Sequence, residues 1–138
     1  MRALLDPNVL ISALLSRGGP PARVLRAWLD GAFELIVSDK LLRELERALS
    51  YPKLRARVTP SEAHEFVALL SRGARTFDDP DGAPRVRSAD PGDDYLVALA
   101  ESVQAILVSG DQHLLELGEK LPVKSARAFL DGLEQGPS

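Results

Sequence analysis

Short apolar runs alternate with helical patterns along most of the chain. Apolar runs bounded by turn residues predict strands, at about residues 2–6, 34–37, 74–77, 106–108 and 123–125. Between them, apolar positions recur with helical spacing and predict helices, at about residues 8–15, 20–31, 38–49, 60–71, 93–103, 112–117 and 126–134. Strands that alternate with helices are typical of an α/β fold with a mainly parallel sheet. We therefore expect one domain over residues 1–138, with a three-layer α/β/α architecture.

Capping and stop signals mark several of the boundaries. Residues 59–62 read Thr-Pro-Ser-Glu, a capping box with proline at the first helical position. Ser38 or Asp39 caps the preceding long helix, and Pro52 predicts that this helix has ended by Tyr51. Residues 78–92 are rich in Asp, Pro and Gly, so we expect them to form a loop.

Two of the predicted strands end in an aspartate, Asp6 and Asp111. The carboxyl ends of parallel strands meet at one edge of a sheet, where α/β proteins bind their ligands. Carboxylates that are brought together repel each other unless a proton or a cation lies between them. The two aspartates therefore predict a metal site at this edge. Taken singly, each is also explained as the N-cap of the helix that follows it.

Two further pairs of acids occupy positions that allow one member to face the same crevice. Glu44 and Glu46 lie on opposite shoulders of an apolar helical stripe, and the helical wheel does not choose between them. Asp93 shares a helix face with apolar residues three, four and seven positions later, whereas Asp94 points more nearly outward. Pairing with a neighbouring arginine, or the helix dipole, explains these acids equally well as surface groups.

The amino-acid composition limits which kinds of catalytic and metal sites the chain can form. The chain has no cysteine, which excludes disulfides, thiolate catalysis and cysteine zinc sites. Its two histidines have no partner at zinc-ligand spacing, and no nucleophile elbow or glycine-rich phosphate loop is present. A donor set made of carboxylate oxygens favours Mg²⁺ or Mn²⁺. Because the chain has neither a signal-peptide pattern nor an apolar run of membrane-spanning length, we expect a cytoplasmic protein.

Four motifs, in order, resemble those of PIN-domain proteins, in the branch of toxins related to the VapC ribonucleases. They are Asp6-x-Asn8-Val9-Leu10-Ile11-Ser12-Ala13-Leu14, Ser38-x-x-Leu41-Leu42-x-Glu44-Leu45-x-x-x-Leu49-x-x-Pro52-Lys53, Asp90-Pro91-x-Asp93-Asp94 and Val108-Ser109-Gly110-Asp111. The resemblance covers nearly the whole chain and selects Glu44 over Glu46. It also selects Asp93, which lies 18 residues before Asp111. The chain departs from the family at Pro7, where a threonine or serine hydroxyl is usual.

The resemblance implies a metal-dependent endoribonuclease that cuts single-stranded RNA, the toxin of a toxin–antitoxin pair. One or two Mg²⁺ or Mn²⁺ ions would be held by the catalytic acids Asp6, Glu44, Asp93 and Asp111. Asn8 and Ser109 would support these ligands from behind. The missing hydroxyl at position 7 removes a group that could orient Asp6, but no ligand.

An acidic centre needs basic flanks to hold RNA, because phosphate contacts dominate affinity for nucleic acids. The net charge of −3 provides no overall positive field, so the cations must act locally. The densest basic stretch contains the expected RNA-binding residues Arg43, Arg47, Lys53, Arg55 and Arg57, with Arg17 and Arg23 as a second candidate. The alternative function is a PIN-like module that binds RNA or an antitoxin without cutting. A DNA-directed 5′ nuclease is disfavoured because the chain has no room for duplex-binding insertions.

The resemblance also implies an antitoxin partner and a homodimer. Apolar residues of the first two helices form the expected docking surface, namely Val9, Leu10, Ala13, Leu14, Val24, Leu25 and Trp28. Aromatic anchors concentrate binding energy at interfaces, so a partly exposed Trp28 would mark such a surface.

Overall fold

The computed structural model describes residues 1–81 and 91–134. Within them lie five strands, β1 (Arg2–Leu5), β2 (Glu34–Val37), β3 (Arg75–Thr76), β4 (Ile106–Val108) and β5 (Val123–Lys124). The same residues form eight α-helices: α1 (Pro7–Leu15), α2 (Pro20–Leu29), α3 (Asp39–Leu49), α4 (Pro52–Arg55), α5 (Pro60–Gly73), α6 (Asp94–Val103), α7 (Gln112–Leu115) and α8 (Ala126–Glu134). A 3-10 turn at Pro91–Asp93 precedes α6.

The strands form one sheet in the order β3-β2-β1-β4-β5. Every strand pair in the described ranges is parallel, so the prediction of a mainly parallel α/β sheet is confirmed. The central strand β1 pairs with β2 on one side and β4 on the other, with Leu5 opposite Val108. Leu4 and Leu5 are almost fully buried, as expected for a strand covered on both faces.

The structure differs from the sequence-based expectation in one additional helix and in boundaries that shift by one or two residues. Pro52 ends α3 and also begins the short helix α4, because a proline suits a first helical position as well as it stops a preceding helix. α7 ends at Leu115 rather than at residue 117. The helix expected from residue 93 begins as a 3-10 turn. Of the expected loop, residues 82–90 lie outside the described part of the chain, and Asp90 of the third motif lies there too.

The expected docking surface on α1 and α2 is wrong for most of its residues. Because α2 packs against both α1 and α8, its apolar side chains fill the core. Trp28 is only 8% exposed and packs against Gly73, where a Cβ atom would lie 3.0 Å from the indole ring. The other fully enclosed members are Val9, Leu10, Ala13 and Val24, while Leu14 and Leu25 are half-buried. Within the two described ranges, no helix has the length and apolar character needed to cross a membrane.

Candidate active site

Asp6 lies at the carboxyl end of the central strand with both carboxylate oxygens engaged. Its backbone N–H donates to Val108 at 3.0 Å, which continues the β1–β4 pairing past the last residue of β1. Asp6 caps α1, and its Oδ1 accepts from the backbone N–H of Asn8 at 3.0 Å. Oδ2 accepts from the hydroxyl of Ser109 at 2.9 Å. Ser109 therefore supplies Asp6 with a hydroxyl donor. Pro7, the residue after Asp6, has no hydroxyl and cannot do so.

Ser109 connects Asp6 to Asp111. It is fully buried, and its Oγ also accepts from the backbone N–H of Asp111 at 3.0 Å. Asp111 is half-buried, and its Oδ1 caps α7 by accepting from the backbone N–H of His113 at 2.8 Å. The two strand-end aspartates thus lie at the same edge of the sheet, joined by one side chain.

Asp6 is in an environment that disfavours its negative charge. Burial is the largest cause that raises the pKa of its carboxyl above the ordinary value, and the charge of Asp111 acts in the same direction. The hydrogen bonds from Asn8 and Ser109 stabilise the carboxylate and lower its pKa, but they do not cancel the effect of burial. A cation placed beside Asp6 would relieve both unfavourable contributions.

Several acids influence the pKa of Tyr95. Burial raises the pKa of its phenol well above the ordinary value, and negative charges add to that rise. These charges belong to Glu44, Asp6, Asp79 and Asp93, in decreasing order of effect. Four carboxylates from separate parts of the chain therefore lie within electrostatic range of one phenol oxygen.

Burial separates Glu44 from Glu46, whereas both aspartates of the second pair are half-buried. Glu44 is half-buried and acts on Tyr95, whereas Glu46 is exposed. Asp93 occupies the N-cap position of α6, and its Oδ2 is buried from solvent. Asp94 is the first residue of α6 and is half-buried, as Asp93 is. Glu44 and Asp93 are thus placed on the side of the site.

Asp79, Tyr95 and Lys40 were not identified from the sequence. Asp79 Oδ2 accepts from the backbone N–H of Lys40 at 3.3 Å, in the first turn of α3, and its Oδ1 is buried without a hydrogen bond to any described residue. The Lys40 ammonium lies over the Tyr95 ring, 4.7 Å from its centroid. Proximity to Asp93 in sequence was the only available signal for Tyr95. Asp79 gave none, because an Asp-rich loop has no periodicity.

The acids fit a hard divalent cation by their chemistry, since every donor is a carboxylate oxygen. Among the described residues, no three carboxylate or imidazole groups lie close enough to hold one ion. Two of the acids have local partners: the Glu44 carboxylate forms an ion pair with Arg47, and Asp111 caps α7. Binding of a cation would draw these carboxylates from their present partners.

A groove between α3 and α5 brings together three of the five expected RNA-binding residues. Arg43, Arg47 and Arg55 line this arginine groove, whose volume is about 470 Å³. Arg47 also pairs with Glu44, so the groove reaches the acidic site directly. Lys53 and Arg57 are exposed nearby but do not line it.

The second basic candidate is less suited to bind phosphate. Arg23 forms an ion pair with Glu134, and its donor atoms are already partly engaged. Arg17 is exposed, and its carbonyl accepts a hydrogen bond from Arg26.

Comparison with known proteins places the chain among similar folds. A family model described as "PIN domain" matches residues 2–113, which include all four expected ligands. The chain is also similar to the crystal structure of PAE2754 from Pyrobaculum aerophilum, with a TM-score of 0.67 and 19% sequence identity over 98% of this chain and 90% of that chain. At this identity the likeness shows the fold alone. A comparison with the curated proteins gives no match.

Proposed function

Because the chain belongs to the PIN-domain family, whose members are generally nucleases, we propose that it hydrolyses phosphodiester bonds of single-stranded RNA with the help of Mg²⁺ or Mn²⁺. One observation carries the proposal. Asp6 and Asp111 follow neighbouring strands and share Ser109, and the negative charges of Asp6, Glu44 and Asp93 all raise the pKa of the Tyr95 phenol. The proposed ligands are Asp6, Glu44, Asp93 and Asp111.

The residues of the chain have distinct parts in this proposal. A divalent cation in such a site supplies Lewis-acid polarisation of the phosphodiester and activation of a water for in-line attack. Asp6 is the best-fixed ligand, because the hydrogen bonds from Asn8 and Ser109 hold its two oxygens in place. Ser109 also orients the segment that carries Asp111.

RNA binding is assigned to the basic side of the site. The arginine groove adjoins Glu44 through Arg47, so a strand held there by its phosphates would pass close to the acids. Lys53 and Arg57 would extend the positive surface along the same strand. The ion pair between Arg47 and Glu44 links the two parts of the site. If it breaks, the Glu44 carboxylate becomes available to the cation and the Arg47 guanidinium becomes available to a phosphate.

The finer assignment to a toxin–antitoxin pair rests on the sequence motifs. We propose that an antitoxin protein silences the nuclease and that the active form is a homodimer. The enclosed residues of α1 and α2 are not available for either contact, so the interfaces must lie elsewhere.

A second function is a PIN-like module that binds RNA or an antitoxin without cutting. The Glu44–Arg47 ion pair favours it, because a carboxylate held by an arginine is not a ready metal ligand. Pro7 favours it as well, since it removes a hydroxyl usual in the family.

Cleavage of an end-labelled single-stranded RNA in Mn²⁺ tests the proposal. Glu44→Gln and Asp6→Asn should each lower the rate by more than about 100-fold, beyond the effect typical of residues that only orient ligands. Glu65→Gln is the control, because Glu65 is exposed on α5 and does not line the arginine groove, and it should cleave at the wild-type rate. Binding of RNA without cleavage by the wild-type protein would favour the second function. Equal losses in the two glutamate variants would remove Glu44 from the site.

A further inference from the structure

A second cavity opens beside Asp111, on the side of the site opposite the arginine groove. Its volume is about 400 Å³, within the range of small-ligand pockets. We call it the Asp111 cavity. The apolar part of its lining is Pro21 with the small exposed parts of Val9 and Ala126, 5% and 9% of these residues, and polar groups of Asn8 and Ser12 line it as well.

The chemistry of the lining suits an uncharged aromatic heterocycle. An apolar wall accommodates the face of a nucleobase, and an Asn amide offers a donor and an acceptor that match the hydrogen-bonding edge of a base. The Ser12 hydroxyl can donate or accept. The described residues that line the cavity include no lysine or arginine, and Asp111 contributes a negative charge, so a phosphate is disfavoured here.

The cavity and the arginine groove lie on either side of Asp6 along the edge of the sheet. The arginine groove involves α3, which follows β2. The Asp111 cavity is lined by the segment that follows β4 and by residues of α1, α2 and α8. These two strands flank β1, and Asp6 lies at the end of β1 between them. A strand held by its phosphates in the groove and crossing the acids would therefore continue toward the cavity.

We propose that the Asp111 cavity binds one unpaired nucleobase of the RNA, next to the phosphodiester that is cut. The proposal rests on the nuclease function proposed above and adds a base preference to it. Phosphates fix a strand without reading its sequence, whereas a pocket for a base edge can discriminate between bases.

The first test uses binding alone and needs no catalysis. Nuclear magnetic resonance titration with adenosine, guanosine, cytidine and uridine should shift the backbone signals of Val9, Ser12 and Ala126 with at least one nucleoside, and ribose 5-phosphate should not. Ala126→Leu should fill the cavity and weaken that nucleoside at least 10-fold. Ser12→Leu narrows it from an exposed position on α1, so it serves if the buried substitution prevents folding. Ala128→Leu, exposed on the same helix α8, is the matched control and should bind as the wild type does.

The second test maps the cut sites of a mixed-sequence RNA in Mn²⁺. The wild-type protein and Ala128→Leu should share a base preference beside the cut, and Ala126→Leu or Ser12→Leu should flatten it. Nucleoside binding at the cavity without any cleavage would support the pocket and contradict the nuclease function. Cleavage with an unchanged preference in the filled variants, or nucleosides that leave the cavity signals unmoved, would overturn the pocket while the nuclease function stands. Cavity signals that do not move with any nucleoside are also expected if the cavity binds a side chain of a protein partner.

Discussion

At the scale of single residues, Ser109 is the most connected group in the site. It is fully buried, donates to Asp6 and accepts from Asp111, so one hydroxyl serves two strand-end aspartates. The family motif identified Ser109, and periodicity could not have done so, because a buried serine at a strand end has the same pattern as a turn residue. Neither the motif nor the periodicity identified Tyr95, whose pKa is raised by the charges of Glu44 and Asp6.

Ser109→Ala should destabilise the protein by about 1–3 kcal/mol at pH 7, since it leaves a buried carboxylate oxygen and a backbone N–H without a partner. The loss should be smaller in acid. The pKa of Asp6 is raised in the fold, so stability falls as pH rises from 3.8 through that pKa. Removing a hydrogen bond that favours the carboxylate raises the pKa further, and the variant therefore loses more stability over the same pH range. Urea denaturation at pH 4 and pH 7 measures both effects.

Ser12→Ala is the control for Ser109→Ala, because Ser12 is exposed. The free energy of unfolding of this variant should remain within about 0.5 kcal/mol of the wild type at both pH values. A loss for Ser109→Ala that is the same at pH 4 and pH 7 would show that Ser109 does not act through the charge of Asp6.

At the scale of elements, the sequence predicted most of the fold because local signals and packing agree. Residues 34–37 and 106–108 form strands with the expected bounds, and the capping box at Thr59 is present with both of its hydrogen bonds. The misplaced elements are those with ambiguous signals. Pro52 both ends α3 and begins α4, and the apolar spacing of α7 continues to Leu117 although the helix ends at Leu115.

Thr59→Ala should cost about 1 kcal/mol of stability, because the Thr59 hydroxyl accepts from the backbone N–H of Glu62 and satisfies one of the open donors of α5. Thermal or urea denaturation measures the loss. Ser61→Ala, exposed in the same helical turn, is the control and should change stability by less than about half as much. Equal effects of the two substitutions would mean that the cap does not stabilise α5.

At the scale of the whole molecule, the sheet order assembles the site. β1 carries Asp6, its neighbour β4 leads to Asp111, and α3 and α6 bring Glu44 and Asp93. The strand-end rule predicted the first pair from the sequence. The second pair needed the family resemblance, because a helical wheel defines a face but not the element it meets. Asp79 joins them through tertiary contacts that no local pattern encodes.

We expect Asp6, Glu44, Asp93 and Asp111 to bind a divalent cation together, and the melting temperature of the protein in Mn²⁺ tests this expectation. Mn²⁺ should stabilise the wild-type protein by about 2.7 kcal/mol at a hundredfold excess over its Kd, and raise the melting temperature accordingly. Asp6→Asn keeps the shape of the side chain and removes its charge, so the Mn²⁺-induced rise should be largely lost. Glu46→Gln should retain it in full. A rise in Asp6→Asn equal to that of the wild type would contradict the account, because the cation would then bind away from these acids.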